Sequence, residues 1–210
     1  MIRLKPTKQW GTDSRVPFSD ESSDSKTAVV IGGGVAGWAA ARVLNESGWR
    51  VELHEKSSAT ASKGHALLLM ENGLSALEAM GLKGDLLRHG SKINVAKTRV
   101  AGSNNSETLV DCVCLPRNAL VEALISTDEI KLFHDSLVAG VEHDDLGSFI
   151  RFEDGSVRRA DLIVGADGVH SVVRQFVAPG FEIRMGRVQE FVALLPENGS
   201  RFLSQEVVRK

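Results

Sequence analysis

The chain has 210 residues, of which 42% are hydrophobic and 25% are charged, a composition typical of a globular protein with one sizeable core. The formal net charge of -2 gives no electrostatic reason to expect nucleic acid or an anionic membrane as a partner. No apolar stretch has the length of a transmembrane segment, and the N-terminus lacks the apolar core of a signal peptide. We therefore expect a cytoplasmic protein that acts on a small molecule.

Metal binding is not expected from the cysteines or the histidines. Cys112 and Cys114 are spaced for one face of a strand, and two cysteines can supply neither a disulfide framework nor four zinc ligands. The six histidines show no metal-ligand spacing. We therefore predict free thiols in a reducing compartment and no metal site.

The sequence pattern changes near residue 27, from a segment without apolar periodicity to predicted strands and helices. Residues 1–26 mix charged residues, serine and proline without an apolar period, which predicts a disordered leader. A strand is predicted over 28–31, a helix over 35–47 and a second strand over 50–55. Two strands joined by a helix form a βαβ unit, in which the strands lie parallel.

The remainder alternates strand and helix patterns. Further strands are predicted over 66–70, 130–133, 137–142 and 161–164, and further helices over 73–80, 118–125 and 171–177. Asp154-Gly155 separates two extended runs and predicts a β-hairpin over 149–159. The fold class is therefore α/β, a Rossmann-like βαβ domain with a parallel sheet and additional β-hairpins.

Three glycines between the first strand and the first helix form a G-x-G-x-x-G motif: Gly32, Gly34 and Gly37. The first permits a tight turn, the second lets the backbone approach a pyrophosphate, and the third lets the helix pack closely on the strand. Ala36, within the motif, is also a candidate cofactor-binding residue. Glu55 ends the second strand, where a carboxylate can accept hydrogen bonds from a ribose hydroxyl. For the glycines alone, a plain flexible turn is the alternative.

A second motif lies over 160–174. Asp167 follows a predicted strand and should project into the crevice where such sheets bind ligands, while Gly168 lets the backbone turn sharply. Ser171 can cap the next helix, and Arg174 offers a positive charge near the phosphates. The alternative is an ordinary strand, a capped helix and a surface arginine.

Together the two motifs resemble those of the flavin-dependent aromatic hydroxylases, the para-hydroxybenzoate hydroxylase type of FAD monooxygenase. The segment from Gly32 to Glu55 is similar to the family's ADP-binding fingerprint. Asp167-Gly168 is similar to its Asp-Gly motif, which serves both FAD and NAD(P)H. Arg117, which starts an Arg-x-x-Leu helix, looks like the family's arginine that contacts the flavin nucleotide. A surface helix arginine is the alternative.

The resemblance covers about residues 27–195 and implies a NAD(P)H-dependent FAD monooxygenase acting with dioxygen on an aromatic or other apolar small molecule. No catalytic residue is assigned, because the flavin carries the chemistry. The implied organisation is a discontinuous, truncated FAD-binding domain over 27–180 and the incomplete start of a substrate-binding sheet domain over 181–210. The family's later Gly-Asp motif has no counterpart, since Gly84-Asp85 comes too early. We therefore expect a fragment.

Two other functions remain open at this point. A non-catalytic remnant would lack the half of the protein that binds the ribityl chain. An NAD-dependent dehydrogenase would use the segment from Gly32 to Glu55 but would leave the Asp167 segment without a role.

Overall fold

The computed structural model describes residues 26–58, 66–98, 106–125, 129–184, 186 and 206–209. Apart from Lys26, the predicted leader 1–26 lies outside these residues, as does most of the predicted substrate-domain segment 181–210. None of the helices in the described ranges has the length and apolar character needed to span a membrane.

Sixteen helices and strands make up the described part of the chain. In chain order they are β1 (Thr27–Ile31), α1 (Val35–Glu46), β2 (Arg50–His54), β3 (Ala66–Leu69), α2 (Glu71–Ala79), α3 (Lys83–His89), β4 (Ser91–Thr98), β5 (Ser106–Pro116), α4 (Arg117–Leu124), β6 (Lys131–Phe133), β7 (Val138–Asp144), β8 (Gly147–Phe152), β9 (Val157–Arg159), β10 (Leu162–Gly165), α5 (Val172–Val177) and β11 (Glu206–Arg209).

A parallel sheet in the order β10-β1-β2-β6 forms the centre of the fold. Ala28, Val29 and Val30 of β1 are fully buried, as expected for a parallel strand that is covered on both faces. Helix α1 covers one face with Trp38 and Ala41, and residues of β7 and β8 cover the other. The predicted α/β fold with a Rossmann-like βαβ unit is confirmed.

Two further sheets have the strand orders β11-β4-β5-β3 and β7-β8-β9, and all their pairs except β11-β4 are antiparallel. In the second, the hairpin predicted over 149–159 is present, and Gly155 supplies the positive φ of +84° that its turn requires. Strand β11 pairs in parallel with β4. Elements α3, β4, β5 and β11 were not among the predicted ones; β4 and β5 pair with each other as neighbours in the chain, but β-propensity depends strongly on context and no turn motif such as Asp-Gly marked their hairpin.

Strand β2 carries two buried polar residues that its sequence pattern did not predict. Val51 and Leu53 face α1, as expected, whereas Glu52 and His54 face the β7-β8-β9 sheet and are only 2% and 3% exposed. Glu52 Oε2 lies 3.5 Å from His54 Nε2 and 3.6 Å from Arg158 Nε on β9. This buried charge is therefore balanced by a residue of the covering sheet.

We predict that Glu52→Ala lowers the free energy of unfolding by about 3 kcal/mol, because it leaves Arg158 beside a buried site without its countercharge. Urea unfolding followed by circular dichroism measures the change. Glu78→Ala is the matched control: it removes an exposed partner of Lys83 and should cost less than about 1 kcal/mol. Equal stabilities of the two variants would contradict a structural role for the buried charge.

Candidate nucleotide-binding site

A cavity of about 440 Å³ opens where the carboxyl ends of β1, β2 and β10 meet. This edge is where open α/β sheets bind their ligands. Six of the nine predicted cofactor-binding residues line it, namely Gly32, Gly34, Glu55, Arg117, Asp167 and Gly168. The other three, Ala36, Gly37 and Arg174, are not part of its lining.

The glycine turn brings three pieces of backbone into contact. Gly32 has a φ of +105°, its N–H donates to the carbonyl of His54 at 2.8 Å, and a Cβ added to it would overlap the carbonyl oxygen of Ala166. A Cβ added to Gly37, which is buried in α1, would overlap the carbonyl oxygen of Gly32. The first and third glycines are thus needed for packing between the strand ends and the helix.

Gly34 is the N-cap residue of α1 and lines the cavity, so the N-terminus of the helix is open on this side. No side chain caps the helix, so the N–H groups of its first turn have no acceptor within the helix. Such a helix end favours a phosphate, through its free donors and its dipole. A Cβ at Gly34 would lie 3.3 Å from Nη2 of Arg117, so a side chain there would enter the space in front of that guanidinium. Ala36 is exposed in the same turn.

Glu55 is held as a carboxylate at the end of β2. Partial burial acts to raise its pKa, but hydrogen bonds from the N–H groups of Gly33 and Ser57, together with the charge of Lys56, lower the pKa below its ordinary value. The two bonds measure 2.6 Å to Oε2 and 2.9 Å to Oε1. Each carboxylate oxygen can accept a further hydrogen bond, so Glu55 retains capacity for a ribose hydroxyl.

Two cationic side chains, Arg117 and Lys56, contribute to the cavity lining. Arg117 is the first residue of α4, and Pro116 precedes it at the N-cap, where the missing N–H of proline breaks no helical hydrogen bond. The predicted helix start at Arg117 is therefore present, with Leu120 buried beneath it. The position of its guanidinium opposite Gly34 suits an anionic ligand.

Asp167 links the turn after β10 to helix α5. Its Oδ2 accepts hydrogen bonds from the N–H groups of Val172 at 2.6 Å and Val173 at 3.3 Å. Its Oδ1 is buried and has no hydrogen-bond partner in the protein. Asp167 lines the cavity, and because buried acceptors nearly always have a donor, its Oδ1 is left to accept from a hydroxyl or amide of a bound ligand.

Arg174 lies away from the cavity that Asp167 lines. Ser171 caps α5 as predicted, accepting a hydrogen bond from the N–H of Arg174 at 2.9 Å. The Arg174 guanidinium instead donates to the carbonyls of Gly168 and Val169 and lies over the ring of Phe181. The structure therefore does not bring this charge to the cavity, because the carbonyls of its own turn are closer acceptors.

Sequence reasoning missed the wall that closes the cavity beside Glu55. His54 and three consecutive residues after β6, Ser136, Leu137 and Val138, line this side. They belong to no recognisable motif, and their one sequence signal is that His54 directly precedes Glu55. Within the described residues, no cluster of three or more His, Cys, Asp and Glu is placed to hold a metal ion.

Comparison with known proteins decides between FAD and NAD. Residues 25–198 match the family model described as "FAD binding domain". The chain belongs to this family. The prediction of FAD rather than NAD is thereby confirmed, and the dehydrogenase alternative is not supported.

Several relatives of the chain are monooxygenases, in line with the resemblance to flavin-dependent hydroxylases. A 3-amino-4-hydroxybenzoate 2-monooxygenase of Streptomyces platensis is 28% identical over 166 residues, which are 73% of this chain and 42% of the relative. A 2-heptyl-3-hydroxy-4(1H)-quinolone synthase of Mycobacteroides abscessus is 30% identical over 83% of this chain and 48% of the relative.

Among solved structures, 2-methyl-3-hydroxypyridine-5-carboxylic acid oxygenase is similar with a TM-score of 0.66 and 33% identity, over 74% of this chain and 43% of that one. The chain thus spans less than half the length of each of these three proteins. The match to an FAD-binding domain agrees with the groups that line the cavity. A dinucleotide requires a helix N-terminus and cations for its pyrophosphate, and acceptors such as a carboxylate for its hydroxyl groups.

We predict that Gly37→Ala destabilises the protein by about 3 kcal/mol, because the new methyl group overlaps a backbone carbonyl that cannot rotate away. Gly73→Ala is the matched control in helix α2, where the added Cβ would meet only a Leu69 methyl at 3.5 Å. It should leave stability unchanged or raise it by up to about 1 kcal/mol. Thermal unfolding of both variants tests this, and equal melting temperatures would contradict the packing role of Gly37.

We predict a pH-dependent stability difference between the unmodified chain and Glu55→Gln. Because the pKa of Glu55 is lowered on folding, its charged form stabilises the protein above the ordinary pKa of 4.5, and this contribution is lost as pH falls through the lower folded pKa. At pH 7 the variant should be less stable by about 1 kcal/mol. Urea unfolding between pH 3 and pH 7 measures the difference, and one that stayed constant or grew toward low pH would contradict it.

Proposed function

We propose that this chain is the FAD-binding part of a NAD(P)H-dependent monooxygenase that hydroxylates an aromatic or other apolar small molecule. The observation that carries the proposal is the convergence of Gly34, Glu55, Arg117 and Asp167 on one cavity at the carboxyl edge of the parallel sheet. The match to an FAD-binding domain and the oxygenases among the relatives support the reaction class.

In this proposal each cavity residue has a separate role in holding FAD. The open N-terminus of α1 at Gly34 and the Arg117 guanidinium bind the pyrophosphate. Glu55 accepts from the adenosine ribose, and the free Oδ1 of Asp167 accepts from a donor nearer the flavin. Arg174 acts indirectly by bracing the Asp167-Gly168 turn. The backbone N–H of Ala36 faces the pyrophosphate from the first turn of α1, and Gly37 permits that turn to approach.

When bound, FAD supplies the redox chemistry that joins NAD(P)H oxidation to the use of dioxygen, while the protein positions the reactants and excludes water. None of the residues described above is therefore required as an acid or a base. The division into a FAD-binding domain over 27–180 and the start of a substrate-binding sheet domain over 181–210 is part of the proposal. Pairing of β11 with β4 supports a sheet contribution from the second segment.

The substrate class rests on the relatives. One is named for a hydroxylated aminobenzoate and another for an alkyl-quinolone, so an aromatic small molecule is the shared chemistry. We place the protein in the cytoplasm, where the free thiols of Cys112 and Cys114 stay reduced.

A module that binds FAD without turnover is the second candidate. The match to an FAD-binding domain supports cofactor binding and by itself requires no turnover. Flavin binding is common to both candidates, and oxidation of NAD(P)H with consumption of oxygen separates them.

We predict that the purified chain, mixed with FAD and desalted, retains the absorption bands of bound flavin, roughly one flavin per chain. Gly34→Glu should abolish retention, because its carboxylate fills the pyrophosphate position and repels the phosphates. Gly84→Glu is the matched control, since a side chain there meets no atom within 4 Å. Retention of FAD by the Gly34 variant equal to that of the Gly84 variant would overturn the site.

A further inference from the structure

The wall of the nucleotide cavity beside Glu55 is shared with a second cavity. This second cavity has a volume of about 510 Å³ and lies on the other side of the loop after β6. His54, Ser136 and Leu137 line both cavities. The position of these three residues therefore determines where the nucleotide cavity ends.

Backbone hydrogen bonds tie the loop to the end of β2. The N–H of Glu55 donates to the carbonyl of Phe133 at 2.9 Å, and the N–H of Ser136 donates to the carbonyl of Glu55 at 3.0 Å. Between them, Asp135 has a φ of +51°, a conformation that costs a non-glycine residue about 1 kcal/mol or more. The loop thus needs additional contacts to stay in this shape.

His54 supplies such a contact from a buried position. Its Nδ1 is hydrogen bonded to Ser136 Oγ at 2.7 Å, and its ring is stacked on Phe133 with centroids 4.7 Å apart. The hydroxyl of Ser136 can donate or accept, so the bond forms with either neutral form of the imidazole. The side chain of His54 is 3% exposed, which makes this a bond shielded from water.

The rest of the His54 ring lies against residues of β2 and β8. Its Nε2 lies 3.5 Å from Glu52 Oε2, which in turn lies 3.6 Å from Arg158 Nε. Phe152 packs against the ring from β8. Nε2 has no hydrogen-bond partner within the described residues, so the ring's hydrogen bond is the one that Nδ1 makes to Ser136.

We propose that His54 is a positioning residue of the nucleotide site: through Ser136 it fixes the loop over 134–137 as the wall beside Glu55 and so increases affinity for the adenosine half of FAD. This inference rests on the proposed function. Without the Nδ1 bond, the backbone hydrogen bonds of the loop remain, but the wall beside Glu55 loses its buried side-chain anchor at Ser136 and is held less tightly.

The test compares four variants for ADP affinity by calorimetry and for amide exchange by NMR. His54→Leu and Ser136→Ala should each weaken ADP binding about fivefold to tenfold, the loss expected for one buried hydrogen bond. The double variant should lose little more than either single one, since both remove the same bond. His54→Asn, whose amide can occupy the place of Nδ1, should restore most of the affinity.

The matched control is His143→Leu. His143 also pairs with a serine, Ser148, at 3.1 Å, but it is exposed and lines neither cavity. Its removal should leave ADP affinity unchanged. In the free protein, exchange of the Ser136 and Glu55 amides should be about tenfold faster in the His54→Leu and Ser136→Ala variants than in this control.

The outcomes separate the two proposals. If the unmodified chain does not bind ADP, the proposed function fails, and this inference fails with it. In a second outcome the unmodified chain binds ADP, and both Ser136→Ala and His54→Asn equal it in ADP affinity and in amide exchange rate, while His54→Leu is merely unstable. His54 is then only structural, and the inference alone is overturned. The inference is supported if ADP affinity falls in His54→Leu and Ser136→Ala and is restored in His54→Asn.

Discussion

The fold depends on close approach of three backbone segments at the carboxyl edge of the parallel sheet. Gly32 turns the chain out of β1 against the carbonyl of Ala166, and Gly37 places α1 against the carbonyl of Gly32. Neither position has room for a Cβ. Because the helix starts so close to the strand ends, its free N–H groups face the cavity instead of a protein partner. The same approach brings the Asp167 turn beside the glycine turn, so the cavity is a direct consequence of this packing.

The charges of the site are arranged by the hydrogen bonds of the scaffold. The Glu55 carboxylate is held by the backbone of Gly33 and Ser57, and Asp167 is held by the first turn of α5. Each of them keeps accepting capacity and lines the cavity, while Arg117 supplies positive charge across from Gly34. A dinucleotide requires this distribution: an acidic group beside each of its two sugar-derived parts, and cations beside the phosphates between them.

Local features could be predicted from the sequence, and features set by distant contacts could not. The glycine turn, the Ser171 cap and the Asp154-Gly155 hairpin depend on residues within a few positions, and each is present. Burial of Glu52 was missed because it depends on Arg158, more than a hundred positions away, and on the sheet that carries it. The wall at Ser136 was missed for the same reason, since it depends on the end of β2, 82 positions earlier. Arg174 is an exception: its acceptors, the carbonyls of Gly168 and Val169, are local, but no motif shows that they compete with a ligand. The family match supports the cofactor, while the roles of individual residues still rest on geometry.

A crystal structure of the chain with FAD tests the central claim most directly, because it locates each part of the dinucleotide. The account predicts the pyrophosphate at the N-terminus of α1 within hydrogen-bond distance of the Gly34 turn, the adenosine ribose on Glu55, and the remainder of the cofactor directed toward Asp167. FAD bound elsewhere, for example with its phosphates in the cavity formed by His134, Asp154 and Arg158, would contradict it.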